Sequence, residues 1–454
     1  TSLENVYFPD FCVDKCQIMK FKGIDQYGDI VYEDQRIFFV GLDERSYFNL
    51  PIISLNMSYD SLFDYEKGMY VLGKTYDEGI KDGYPETYPA NYNQKGKEWE
   101  RECEFSYFDE NHAYKFAQNI GVRIHGGWSR AFNQKSFNLY ARKEYGNKTF
   151  LEPFFGDTLN KTVMLRNGGY RDNVVTKTRD TLLHDISENE KFETQRSKPV
   201  IVFLNGEYWG IYNLQERFSD SYIEEHYGIN KDNVVIVEKD EIDEGNEDDI
   251  SLLNETIDFF KNSNLSSDYS YSVAKSMVDV DSFISYMSTE LISGNIDWPY
   301  NNVRLWRVRE ADSSTNSYQD GKWRFMMYDT DDSAGIIEKC AFDTNPFLNS
   351  SHWKNGPLDP ECTLGLFLTK FLENNEFKTL FKSEFNRIAK ENFGEKLFTY
   401  LDNRVELLKD PMIMFYKRFV NSNPSSNYFS DEVDKIKNFY RDRISVVIQY
   451  LENI

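Results

Sequence analysis

Two clusters of acid and amide side chains supply the residue types from which cation-assisted chemistry is built. Asp297, Asn301 and Asn302 lie in SGNIDWPYNNVRLWRV, and Asp329, Asp331 and Asp332 lie in WRFMMYDTDDSAG. Both clusters are embedded in aromatic and aliphatic residues. Desolvating a carboxylate is costly unless it is paired or bound to a cation, so acids in such a setting call for a partner. Asp297 and Asn302 stand at the D-x-x-x-x-N interval, at which a phosphoryl-transfer loop places an acceptor-orienting Asp and a metal-binding Asn. The second cluster closes an apolar run, where such an enzyme keeps the Asp that holds Mg²⁺. Hard oxygen donors without thiolates suit Mg²⁺ or Mn²⁺ better than zinc. The same spacing also fits a pair of hydrogen-bonded turns, and spacing alone leaves both readings open.

The elements that must position these residues change character along the chain. QRIFFVGL and LPIISLNMS in the first 60 residues, then ECEFSYFDE, NIGVRIHGG and KSFNLYARK, read as strands. Residues 77–99 are rich in Gly, Tyr, Pro and Asn and read as a long exposed loop. GGWSRAFNQ, between two of the strands, fits either a backbone and cation cradle for phosphates or a tight hairpin in which Gly126 and Gly127 permit positive φ. VMLRNGGYRDN reads as a strand running into a turn, and residues 174–190 carry apolar side chains near helical spacing. KPVIVFLNGEYWGIYNLQERF is a hairpin with its turn at Asn205-Gly206, closing on Glu216. The acidic tract Glu238 to Asp249 reads as a solvated loop. Beyond Ile250 most apolar residues recur at three and four positions, the helical period, and Asp281 is an N-cap candidate.

Composition sets the outer limits. Of 454 residues, 40% are hydrophobic and 16% aromatic, enough for a sizeable core and for two domains or one large bilobal one. A formal charge of −23 argues against a general nucleic-acid-binding face, because phosphates would be repelled. There is no apolar run long enough to span a membrane. Cys12, Cys16, Cys103, Cys340 and Cys362 contain no C-x-x-C and have few histidines to join them, which argues against zinc.

Four ordered blocks carry a resemblance: VRIHGGWSRAFNQKSFNLYARKEYG, VFLNGEYWGIYNLQER, GNIDWPYNNVRLWR and the strand ending YDTDDSAG. Together they resemble the CotH kinase family, relatives of spore coat protein H with an atypical protein-kinase-like fold. The upstream LPIISLNMSYDSLFDYEKGMYVLG also resembles the N-terminal portion of larger, often exported, bacterial members. The resemblance implies an α+β, bilobal kinase-like fold, β-rich in its N-terminal half and mainly helical in its C-terminal half. Residues 1–115 would form a β-rich extension packed on the N-lobe, 116–250 the N-lobe, and 251–454 a helical C-lobe carrying the acidic clusters. It implies ATP as donor, Mg²⁺ or Mn²⁺ as cofactor and a Ser or Thr of a protein as acceptor.

Residue by residue, Asp297 matches the family's catalytic Asp, and Asn302 or Asn301 the metal-binding amide after it. Asp329 and Asp331 match the second acidic motif, and which of them is the principal ligand stays open. Lys135 matches a basic residue near the phosphates, with Arg123 and Arg166 as supporting cations. Glu216 matches a recurrent Glu, either a lysine partner or a nucleotide contact. The implied setting is exported or cell-surface in a bacterium, with spore coat or cytoplasm as alternatives, and nothing in the sequence fixes the oligomeric state. A silent nucleotide-binding scaffold and a carbohydrate-associated module, the latter from the abundant Tyr and Trp, are the competing readings.

Overall fold

The structure is a computed structural model that describes residues 6–337, 341–348, 356–420 and 424–454. Cys340 lies outside them; the other four cysteines are free thiols. The fold is mixed α+β, with strands concentrated in the first half and helices in the second, as the periodicity predicts. The chain divides into two compact units, the first made of Thr1–Asn167, Lys198–Gln215 and Leu407–Tyr428, the second of Gly168–Ser197, Glu216–Glu406 and Phe429–Ile454.

The first unit begins with a two-stranded ribbon, β1 (Gln17–Ile24) against β2 (Ile30–Phe38). Its centre is a closed barrel that the sequence pattern did not reveal. The strands are β3 (Ile52–Asn56), β4 (Arg101–Phe108), β5 (Tyr114–His125), β6 (Ser136–Tyr140), β7 (Thr162–Arg166), β8 (Ser197–Leu204) and β9 (Glu207–Glu216), in the order β3-β4-β5-β6-β7-β9-β8. Closure removes the open edges that a sheet of this size would otherwise leave unpaired. Phe105, Ile120, Val122, Phe137, Leu139, Val163 and Leu165 are buried at 0% exposure and form part of its core. The β8–β9 hairpin turns at Asn205 (φ 49°) and Gly206 (φ 84°), the pair of positive φ angles that a type I′ turn requires.

Two expectations in this unit change. Residues 77–99 are not simply exposed: three short 3-10 turns run through them, and Ala90, Asn91 and Tyr92 are buried, with the Asn91 side chain donating to the Tyr65 carbonyl at 3.0 Å. Between β5 and β6 there is no tight hairpin but a longer connection containing a 3-10 turn, Trp128–Ala131, and only Gly126 of the two glycines has positive φ.

The second unit contains a four-stranded sheet, in which β10 (Val234–Glu238), β11 (Glu241–Glu244), β12 (Val303–Val308) and β13 (Arg324–Met327) are arranged β11-β10-β12-β13. Helices including Ile250–Asn262, Val280–Ser293 and Asn375–Lys390 belong to the same unit. Ile236, Trp306, Val308 and Met326 pack with Phe218 and Ile223 in its core. The acidic tract is more ordered than its composition predicts. Glu238 and Asp243 pair with Arg304, and Asp249 takes the Arg309 guanidinium at 2.7 Å, so half-buried cations organise what reads as a solvated run. The helix over residues 174–190 is confined to Arg179–Ile186. The cap of Val280–Ser293 is Asp279, which accepts from the Ser282 N–H, and Asp281 lies within the first turn.

Candidate functional site

The register of β12 against β13 brings the two acidic clusters together. Val303 pairs with Met327, so Asn302, just before β12, meets the residues that follow β13. Asn302 Nδ2 donates to the Asp329 carbonyl at 3.0 Å and to Asp297 Oδ2 at 3.2 Å. Asn301 Nδ2 donates to Asp297 Oδ1 at 2.8 Å, so both oxygens of Asp297 are oriented by the two amides. The helix Val280–Ser293 ends in a left-handed Gly294 and releases the chain into this loop, where Asn295 Oδ1 accepts the Asp297 N–H. Asn302 and Asp329 both sit at positive φ, 58° and 57°. Non-glycine residues take up that conformation at a cost and gather at functional sites.

A second segment, which reads in sequence only as a strand running into a turn, holds the acids from the other side. The backbone N–H groups of Tyr170 and Arg171 both donate to Asp331 Oδ2, at 2.7 and 3.1 Å. The Arg171 guanidinium pairs with Asp332 at 2.8 Å. Asp180 Oδ1 accepts the Thr330 N–H at 2.9 Å, fixing the residue between Asp329 and Asp331. Burial, with the Asp297 and Asp329 carboxylates, pushes Asp332 up to about 6 against the pull of Arg171. Three carboxylates therefore share one electrostatic neighbourhood. Glu290, fully buried in the helix that leads into the site, is pushed up to about 8 by burial, with Asp180 adding to the rise and the Asn295 side chain opposing it.

These groups fit a hard divalent cation held together with a substrate. Among the described residues no set of three His, Cys, Asp or Glu side chains forms a ready-made cage. Mg²⁺ commonly takes one or two carboxylates, waters and substrate phosphates rather than an all-protein shell, so a loose oxygen-rich pair is the arrangement it uses. With Nδ2 of Asn302 engaged twice, its Oδ1 is the oxygen left for a cation.

The remaining predicted residues have partners of their own. Glu216, in the same unit, accepts from Arg196 Nη2 at 2.6 Å and lies 2.9 Å from His226 Nε2. Burial opposes its ionisation, and these two partners outweigh burial and hold its carboxyl below the ordinary value. Lys135, Arg123 and Arg166 belong to the first unit. The Lys135 ammonium is buried, donates to the Arg130 and Phe132 carbonyls at 2.6 and 3.0 Å, and lies over the Tyr92 ring. Burial, aided by the Arg130 charge, pushes it down to about 7. Arg123 is pinned to the buried Glu100 carboxylate, which Lys97 and Arg142 also engage. Arg166 is buried at the end of β7. The positioning residues absent from the sequence reading are Gly169, Tyr170, Arg171 and Asp180. Paired glycines before an Arg in NGGYRDN were the one available signal.

No helix among the described residues is long and apolar enough to cross a membrane. Residues 122–447, well over half of the chain, match the family described as CotH kinase protein, and no curated protein matches the chain.

Proposed function

We propose, for a chain that belongs to the CotH kinase family, that it transfers the γ-phosphoryl group of ATP to a Ser or Thr hydroxyl of a protein, with Mg²⁺ or Mn²⁺ bound between the two acidic clusters. The observation that carries this reading is the orientation of both Asp297 oxygens by Asn301 and Asn302, with Asn302 tied at once to Asp329. Phosphoryl transfer asks a protein mainly to position groups and to neutralise charge.

In this reading Asp297 orients the acceptor hydroxyl and takes its proton as the hydroxyl oxygen bonds to the γ-phosphorus, while the bond from that phosphorus to the β–γ bridging oxygen breaks and ADP leaves with the electron pair. Asn301 keeps the carboxylate from rotating away. Asn302, Asp329 and Asp331 would hold the cation, which when bound would draw negative charge from the phosphates. The Tyr170 and Arg171 N–H groups fix the orientation of Asp331. Lys135, Arg123, Arg166 and Glu216 remain candidate nucleotide contacts by resemblance, and Lys135, Arg123 and Glu216 would have to exchange a present partner to serve. The exported or cell-surface setting is part of the same proposal and places the acceptor outside the cell.

Thermal unfolding with ATP plus Mg²⁺ or Mn²⁺ tests the reading. A ligand present at about 100 times its Kd stabilises the folded state by about 2.7 kcal/mol. We expect that rise in the wild type and in Asp297→Ala, its loss in Asp331→Ala, and phosphate transfer in the wild type alone. Stabilisation without transfer to any acceptor would favour a silent nucleotide-binding scaffold, and transfer by Asp297→Ala at the wild-type rate would remove Asp297 from its role.

A further inference from the structure

Arg171 occupies an unusual place among the acids. Its backbone N–H donates to Asp331 Oδ2, as that of Tyr170 does, while its own guanidinium lies 2.8 Å from Asp332. Its side chain is 34% exposed and that of Asp332 is 15% exposed, with the guanidinium over the Tyr170 ring. Asp332 in turn lies within electrostatic reach of Asp297 and Asp329. Four carboxylates thus crowd one region of the second unit, and Arg171 is the cation paired with the one that the proposed chemistry does not use.

The sign of that charge matters for what the site accepts. A bare divalent cation is drawn more strongly by each further uncompensated carboxylate. A divalent cation already on a nucleoside triphosphate belongs to a complex with net negative charge, and the same carboxylate repels its phosphates. A group that cancels one carboxylate beside the cation position therefore acts on the two ligands in opposite directions. Selectivity built by weakening the wrong ligand is as effective as strengthening the right one.

We propose that Arg171 is a specificity-determining residue that, by neutralising Asp332, makes the acidic clusters take a metal–nucleoside triphosphate in preference to the free metal ion. The inference rests on the reading of the site as a metal–nucleotide centre. Arg171 acts through Asp332 and is not itself a phosphate ligand. Asp332 is kept off the cation, which leaves Asp329, Asp331 and Asn302 to hold it.

The test measures two affinities on the full chain: free Mn²⁺ by electron paramagnetic resonance, and Mn²⁺ with a non-hydrolysable ATP analogue by calorimetry. For Arg171→Gln we expect free Mn²⁺ to bind three- to tenfold more tightly and the Mn²⁺–nucleotide complex to bind more weakly by a similar factor. Asp332→Asn should give the mirror image. The double variant Arg171→Gln/Asp332→Asn, which removes one charge of each sign, should return both affinities to within about twofold of wild type. Parallel weakening of both ligands by Arg171→Gln would mean that the residue only supports the fold. Loss of nucleotide affinity that the double variant fails to restore would make Arg171 a direct phosphate contact. Either result overturns the proposal, as does no change in either affinity. Asp332→Asn keeps the test readable if Arg171→Gln does not fold. If the wild type binds Mn²⁺ but no nucleotide under any condition, the kinase reading fails, and the Mn²⁺ measurements still decide whether Arg171 masks Asp332.

Discussion

Gly169 shows how little room the site leaves at a single position. Its φ is +87°, and a Cβ added there would stand 2.3 Å from Cγ of Asp331. Both the backbone conformation and the contact therefore exclude a side chain. Gly169→Ala should cost on the order of 1–3 kcal/mol in chemical denaturation and, by pushing Asp331 aside, abolish the metal-dependent stabilisation by nucleotide. Gly228→Ala is the matching control, because Gly228 has φ +66° but nothing within 4 Å of the added carbon. It should carry the backbone cost alone and keep the nucleotide response. Equal behaviour of the two variants would show that the close approach to Asp331 has no consequence. The same contrast explains why Lys135 and Arg123 look different in sequence and in structure. As isolated cations they read as phosphate ligands, whereas each is engaged by carbonyls or by Glu100.

The segment that presents Gly169 and Arg171 is organised by one carboxylate. Asp172 accepts from Thr176 N at 3.0 Å, Thr176 Oγ1 at 2.8 Å, Thr178 N at 2.7 Å, Arg179 N at 3.0 Å and Arg179 Nη1 at 2.7 Å. The helix Arg179–Ile186 has no side-chain cap from Thr178, so Asp172 satisfies the N–H groups of its entry from seven residues upstream. It also neutralises Arg179, whose side chain is buried. Removing one partner of a buried pair strands the other, at a typical cost of about 3–5 kcal/mol. Asp172→Ala should lose that much in urea unfolding, and Asp172→Asn clearly less, since its amide oxygen still accepts N–H bonds. If Asp172→Ala matches the wild type, the turn is held by its surroundings and the network is incidental.

For the molecule as a whole, buried titratable groups give folding stability a pH dependence of known sign. Glu290 is pushed up by burial from its ordinary 4.5 to about 8. Its contribution is full below pH 4.5 and falls as pH rises towards 8, because only the unfolded chain then releases the proton freely. Lys135 shifts the other way, to about 7 from its ordinary 10.5, so its contribution is full above 10.5 and is lost as pH falls to about 7. Between pH 5 and 7 Glu290 is the member of this pair in play. Glu290→Gln keeps an oxygen for the Asn295 side chain. Relative to the wild type it should gain about 1 kcal/mol per pH unit across that window, as read from denaturation midpoints at each pH. A difference between the two proteins that stays flat with pH would mean that Glu290 is ionised in the folded chain.

What the sequence by itself determined is whatever lies in local period and spacing. The strands β4, β5 and β6, the apolar runs of β8 and β9 with their Asn205-Gly206 turn, the helical second half and the D-x-x-x-x-N interval are all readable, because each is settled among near neighbours in the chain. The tertiary structure decided what those elements meet. An apolar or alternating run says that a strand has a covered face, and it does not say that seven strands close into a barrel. Likewise Asp331 reads as a carboxylate in search of a partner, but its partners include two backbone N–H groups about 160 positions earlier. Every residue but proline carries such a group, so nothing in the sequence marks the two that are used. The pairing of Arg171 with Asp332 is of the same kind: the charges are visible in the sequence, and only folding chooses which opposite charge each one faces.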